Sequence, residues 1–180
     1  MDIVFVIALT FCVESASTAF NVEKKNGWWR NMLFVSALAV GQGLMYWLGS
    51  LLGDTFMYKF AGISKAMVFI ICLMIAFRMT LDTLKIKSGK NLFLIDKPKQ
   101  LIFLSIALGI NALIAGLVAD AAFLPLFGNI TPLLIIGTSL IWGLIGIGTK
   151  FSSYKLLINS LLNVMAAVAV LATGIVEMIH

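Results

Sequence analysis

Six long apolar runs, at roughly 2–20, 31–53, 62–84, 101–126, 131–149 and 155–178, leave this chain few folds to choose from. A bilayer core about 30 Å thick is crossed by about 20 helical residues, and each run is near that length. In lipid only helices and closed barrels satisfy every backbone group, and continuous runs of this length suit helices. A soluble domain carries about 25% charged residues, whereas here the share is 12%, against 61% hydrophobic. The sequence therefore predicts an all-α integral membrane protein with six transmembrane helices. The first run contains small residues, Ser15, Ala16 and Ser17, of the kind found at signal-peptide cleavage sites. Its start carries Asp2 and no basic residue, so it reads as a true span.

The basic residues lie mostly between the runs. Lys24, Lys25 and Arg30 fall in the first gap, Lys85, Lys87, Lys90, Lys97 and Lys99 in the third, and Lys150 and Lys155 in the fifth; together they are ten of the thirteen. The second gap holds Lys59 and Lys65, the fourth, "GNIT", holds none, and Arg78 lies inside a span. Basic loops stay on the cytoplasmic side, which puts the odd gaps in the cytoplasm and both termini outside. The expectation is a multi-pass protein of the cell's inner membrane. The net charge of +5 then reads as orientation, with no nucleic-acid partner, and Trp28 and Trp29 as an interfacial belt. Cys12 and Cys72 lie in apolar sequence without CxxC spacing and read as buried thiols. With one histidine, a histidine-rich metal site is excluded. The sequence has no phosphate-cradling GxxxxGK[ST], no HExxH and no nucleophile elbow. Neither an enzyme nor a tightly bound cofactor is expected.

The two halves are similar to one another. "CVESASTA" from Cys12 aligns with "GINALIAG" from Gly109, "VGQGLMYW" from Val40 with "IGTSLIWG" from Ile136, and "RMTLDTLK" from Arg78 with "TGIVEMIH" from Thr173, at offsets of 97, 96 and 95. Three helices per half, an odd number, invert one half against the other. That is the 3+3 plan of many secondary transporters, which place substrate near the midplane at the repeat interface. The expected organisation is a single transmembrane domain, 1–180, with repeat 1 over about 1–85, a cytoplasmic loop over about 85–100 and repeat 2 over about 101–180.

A charged group at mid-span costs about 2.5–3.5 kcal/mol on insertion scales, so it usually has a partner or a task. Glu14 has Ser17 and Thr18 on its helical face, at i+3 and i+4. A carboxylate among hydroxyls is hard oxygen chemistry, suited to Mn²⁺, Mg²⁺ or a proton; the plainer alternative is a protonated carboxyl bonded to a neighbouring helix. Asn111, the repeat mate of Glu14, offers a carbonyl oxygen to a cation or an interhelical hydrogen bond. Gln42, in "GQG", is a ligand or packing glue, and Thr138 and Ser139 hold its place in the other half. Arg78 and Asp82, spaced i,i+4, form an ion pair that orders a helix end, or a gate. Asp120 is a solvated rim residue or an exit-path ligand.

Taken together, "CVESAST" with Glu14, "GQGLMYWLG" with Gln42, "FRMTLD" with Arg78 and Asp82, and "GINALIAG" with Asn111 resemble the motifs of the MntP-type manganese efflux pumps, small six-helix proteins of the LysE superfamily. The resemblance covers nearly the whole chain through short, degenerate motifs. It implies export of Mn²⁺, with aspartates at the positions of Glu14 and Asn111. Here one of these is a longer carboxylate and the other is uncharged, and Tyr46 stands near the place of a usual proline. Ligand charge tunes affinity for hard cations, so the resemblance implies a divergent member with weaker or altered metal preference.

The sequence thus supports an exporter of a divalent cation, Mn²⁺ first, in exchange for protons. Glu14 is its main ligand, assisted by Asn111, Gln42, Ser17, Thr18 and Thr138, and its partners are the lipid bilayer, the cation and protons. A homo-oligomer stays open. The alternatives are a LysE-superfamily exporter of a small organic solute, in which Glu14 meets an ammonium group, and a non-transporting membrane subunit whose polar groups only pack.

Overall fold

The computed structural model describes residues 2–20, 27–59, 63–87, 98–118, 130–149 and 152–179. Asp120 and the basic residues Lys24, Lys25, Lys90, Lys97 and Lys150 lie outside them, so their expected roles have no structural counterpart here. The described residues form seven helices: α1 (Asp2–Thr10), α2 (Cys12–Phe20), α3 (Trp28–Lys59), α4 (Ser64–Lys87), α5 (Pro98–Gly116), α6 (Thr131–Gly148) and α7 (Ser153–Ile179). Five contain apolar windows long enough to cross a membrane, and Ile3–Thr18 is a shorter apolar stretch. The protein is thus all-helical among the described residues, with five to six apolar helices compatible with a membrane protein.

Two boundaries differ from the hydropathy reading. The second expected span, 31–53, belongs to a 32-residue helix, about 48 Å long at 1.5 Å per residue. It outreaches a 30 Å core, so Arg30 at one end and Lys59 at the other can stand in the headgroup layers. Of the fourth expected span, 101–126, the described part is helical to Gly116 and turns at Leu117 and Val118, and 119–126 lie outside the described residues.

The first span is broken. At Phe11 the ladder tightens: the Phe11 amide donates to the Ala8 carbonyl at 3.3 Å, and the Glu14 amide to the Phe11 carbonyl at 3.0 Å. Both bonds have i→i−3 spacing, a local 3₁₀ turn. Kinks usually trace to Pro, Gly or an intruding side chain, and neither Pro nor Gly occurs here. The Thr10 hydroxyl instead donates back to the Val6 carbonyl at 2.9 Å, and the Cys12 thiol to the Leu9 carbonyl at 3.6 Å. Such back-bonding bends helices. Phe11 is buried and meets Trp142 of α6 edge-on, with ring centroids 5.0 Å apart at 84°, a favoured aromatic geometry that holds the joint.

Helix pairing follows small residues. Along α3 and α5, Gly41 meets Ser105, Gly49 meets Leu113 and Gly116, and Gly53 meets Leu117, a rising register that makes the two helices parallel. The α2–α6 register also rises, from Phe11 against Trp142 to Glu14, Ser17 and Thr18 against Gly146. A Cβ on Gly146 would stand 2.7 Å from the Glu14 carbonyl and from the Ser17 Cβ. Helices α4 and α7 run antiparallel: Cys72 faces Gly174, while Asn163 donates to the Met79 carbonyl at 2.7 Å and to the Thr83 hydroxyl at 2.8 Å. These directions are those that serial up-and-down spans require. Small residues and interhelical amide bonds are how helices associate where lipid removes the hydrophobic drive.

Burial runs opposite to a soluble fold. Leu33, Phe103 and Met165 are 69%, 74% and 67% exposed, while Glu14, Gln42, Asn111, Asn159 and Asn163 are buried. Apolar surface outward and polar groups inward is what a hydrocarbon solvent selects.

Two substitutions test this packing by equilibrium unfolding in mixed micelles. Gly146→Leu must push α6 off α2 and is expected to destabilise by about 1–3 kcal/mol or more. Asn163→Leu removes the α4–α7 clasp and is expected to cost about 0.6–2 kcal/mol.

Candidate functional site

The break at Phe11 decides where Glu14 stands. Because α2 starts afresh at Cys12, Glu14 falls in its first turn, where unpaired backbone N–H groups and the helix dipole favour a carboxylate. The residue is 1% exposed, and it is not alone. Lys155 Nζ lies 2.7 Å from Glu14 Oε1. The sequence reads Lys155 as a loop charge that sets orientation; the fold adds that it is the ionic partner of the buried carboxylate. Its side chain is 18% exposed, against 2% for Glu14, so the ammonium is the more accessible member of the pair.

A second bond joins the same two helices one turn further along each. Asn159 Nδ2 donates to Thr18 Oγ1 at 3.3 Å. Glu14 and Thr18 are four residues apart on α2, as are Lys155 and Asn159 on α7, so the two links form a two-rung ladder. Each rung leaves an oxygen over: Glu14 Oε2 and Asn159 Oδ1 are buried without a hydrogen-bond partner. The Thr18 hydroxyl spends its proton on the Glu14 carbonyl at 2.7 Å, and its oxygen faces the ladder as an acceptor. Ser17, expected beside it, donates to the Val13 carbonyl at 2.7 Å and packs against Gly146.

Gln42 belongs to a separate node. Its Nε2 donates to the Cys12 sulfur at 3.0 Å, and its Oε1 accepts from Ser139 Oγ at 3.2 Å. Both ends of the amide are thereby engaged, tying α2, α3 and α6 together. Of the two fifth-span candidates it is Ser139 that reaches Gln42, since Thr138 back-bonds to the Leu134 carbonyl at 2.8 Å. Cys12, expected to be an inert buried thiol, is half-buried and serves as acceptor in this node.

Arg78 reaches across to α5, donating to the Ala107 carbonyl at 2.6 Å, which adds a cross-helix role to the helix-end pairing expected of it. Arg78 and Asp82 both lie within electrostatic reach of the Cys12 sulfur. Asn111 sits one turn beyond Ala107, buried, with its Oδ1 unpartnered. No hydrogen bond among the described residues joins Glu14 to Asn111 or to Gln42, and no three of His, Cys, Asp and Glu converge there. The expected ligand set is thus divided between the α2–α7 ladder and the interior around Gln42, Arg78 and Asn111.

The residues that sequence reasoning missed are Lys155 and Asn159. The signal was present: Lys155, Asn159 and Asn163 recur at i, i+4 and i+8 in an otherwise apolar stretch, a polar stripe that must face the bundle interior. Chemically, the ladder is an ion pair and an amide–hydroxyl bond that leave two buried oxygens unpartnered. No protein-family model, curated protein or solved structure matches the chain.

Proposed function

We propose that the protein is a secondary transporter that exports a cation across the inner membrane, with a divalent metal, Mn²⁺ first, as cargo and protons in exchange. The observation that carries this reading is Glu14 itself: a buried carboxylate in the first turn of a half-helix, with one oxygen held by Lys155 and the other uncommitted. Discontinuous helices that turn their ends toward a polar interior are the means by which many transporters build a midplane site. The donors that surround it are oxygens, suited to a hard cation. A dication that binds Glu14 displaces whatever proton it carries, which couples the two fluxes.

Helix pairing supports a 3+3 inverted repeat. Exchange of the halves carries the α3–α5 contact onto the α2–α6 contact. The correspondence holds in detail: Gly49 meets residues 113–116 and Gly146 meets 14–18, and the offsets of 96–97 read from the sequence relate them to within about two residues. The α4–α7 and α3–α6 pairs map onto themselves. In this reading the basic gaps are cytoplasmic and both termini lie outside, the membership proposed is the MntP-type branch of the LysE superfamily, and Asn111 is a neutralised second ligand position.

A second reading is favoured by the ion pair. Glu14 already holds a primary ammonium at 2.7 Å, which is the contact an exporter of an organic ammonium solute would make to its cargo.

Mn²⁺ flux into inside-out vesicles tests the first reading on wild type, Glu14→Gln and Asn111→Asp. Glu14→Gln is expected to lower flux at least about tenfold, the equivalent of about 1.4 kcal/mol, and Asn111→Asp to raise it by restoring a ligand charge. An absence of Mn²⁺ flux from all three, with uptake of an organic ammonium by wild type, would replace the metal with the solute.

A further inference from the structure

We propose that Lys155 is a tethered competitor for the cargo seat, and that the seat is made by Glu14, Thr18 and Asn159. The proposal rests on the reading of Glu14 as the cation carrier, and adds to it the seat's other members and the group that guards it. Three observations converge. The ammonium of Lys155 spends one contact on Glu14 Oε1, at 2.7 Å. The remaining Glu14 oxygen and the Asn159 carbonyl oxygen are buried and unpartnered. Thr18 links the two residues, its hydroxyl oxygen accepting from Asn159 Nδ2 and its proton going to the Glu14 backbone carbonyl. Buried polar oxygens are rarely left without partners. Two orphans, each 1% exposed and one on each helix of a doubly linked pair, mark a seat that an ammonium on a single oxygen fills only in part.

Lys155 can leave where Glu14 cannot. The lysine sits in the first turn of α7, partly exposed, on a long flexible stem. Its positive charge lies at the positive end of its own helix, the unfavourable end for a cation. Withdrawal of the ammonium frees Glu14 Oε1 beside the uncommitted Oε2. Entry of a cation from the α2–α7 edge therefore requires that Lys155 move out, and exit of the cation lets it return. The ammonium prevents an empty transporter from leaving Glu14 unpaired in the bundle interior, and it sets the affinity the cargo must exceed.

The apparent dissociation constant for cargo is the intrinsic one divided by the fraction of protein whose seat is free. If Lys155 occupies Glu14 nine-tenths of the time or more, its removal tightens binding by at least about tenfold. The test uses the full chain in nanodiscs. Mn²⁺ binding, read from the electron paramagnetic resonance of the free ion, is measured for wild type, Lys155→Met, Lys155→Arg and the double variant Lys155→Met/Asn159→Leu. Lys155→Met is expected to bind at least about tenfold tighter than wild type, in line with that fraction. Lys155→Arg, which keeps the charge and the pairing, should stay at or below wild-type affinity, and the double variant should lose the gain. Unchanged or weaker binding in Lys155→Met, or tighter binding in Lys155→Arg, would overturn the proposal.

A second readout does not depend on the metal. Thermal unfolding of Lys155→Ala is followed with methylammonium chloride, against tetramethylammonium chloride as a control for ionic strength. Methylammonium is expected to raise the melting temperature of Lys155→Ala, and to leave wild type and Lys155→Ala/Glu14→Gln unmoved. Stabilisation by methylammonium without Mn²⁺ binding to any variant upholds the seat and its guard while removing the metal as cargo. Failure of both readouts overturns the seat.

Discussion

Inside a bilayer no water is available to a backbone amide or a side-chain oxygen, so every polar group the chain carries into the membrane must find its partner within the bundle. That constraint orders this structure more than any single contact. It makes every described element a helix, leaves many large apolar side chains such as Leu33 and Phe103 on the outside, and gathers Glu14, Gln42, Asn111, Asn159 and Asn163 inside. It also explains the hydroxyls. Thr10, Ser17, Thr18, Thr83 and Thr138 all return their proton to a carbonyl four residues back on their own helix. A hydroxyl can therefore sit anywhere in a span at small cost, and its oxygen remains an acceptor for a neighbouring helix, as Thr18 and Thr83 show with the two asparagines of α7.

Two kinds of adhesion follow, and they fall on different helix pairs. Where α3 meets α5 and α2 meets α6, glycines remove the side chain altogether and bring backbones into contact; such interfaces are dry and intolerant of volume. Where α7 meets α2 and α4, asparagines and one lysine add polar links, beside apolar packing such as Gly174 on Cys72. Polar contacts of this type are worth about 0.6 kcal/mol each on average in membranes, so they can be exchanged at modest cost. The glycine seams are rigid parts, and the polar edge of α7 is the part able to shift. The Glu14–Lys155 pair, where a cargo seat is proposed, lies on that second kind of edge.

Hydropathy made the spans legible because length and apolar content are what a bilayer reads. Their ends were less so: α3 extends beyond the hydrocarbon on Trp28 to Lys59, and helical propensity there is decided by flanking residues to which a hydropathy window is blind. The break at Phe11 could not be read, since it comes from hydroxyl and thiol back-bonding and from an aromatic partner on α6, with no glycine or proline to announce it. Glu14 stood out because a carboxylate in an apolar run is conspicuous by its cost. Lys155 did not, because a basic residue beside a loop has an ordinary explanation in membrane orientation; only the fold brings it to Glu14. Partners in general are not written in a span: Gln42 was legible as polar and interior, but its bonds to Cys12 and Ser139 depend on which helices become neighbours.

The pair at the edge of α2 and α7 is asymmetric in a way that bears on how such a site can work. Glu14 lies in the first turn of α2, and Lys155 in the first turn of α7, so each stands at the positive end of its helix. That field favours the carboxylate and disfavours the ammonium. The carboxylate is fixed on a short stem behind a helix break and is the more buried of the two, while the ammonium rides on four methylenes and is partly exposed. A buried ion pair is weak evidence for stability, because desolvation offsets much of the attraction. Its strength here lies in the inequality of its members. One half is anchored and the other is held only by its partner, so a cation from solution has to compete with the lysine and not with the architecture of the bundle.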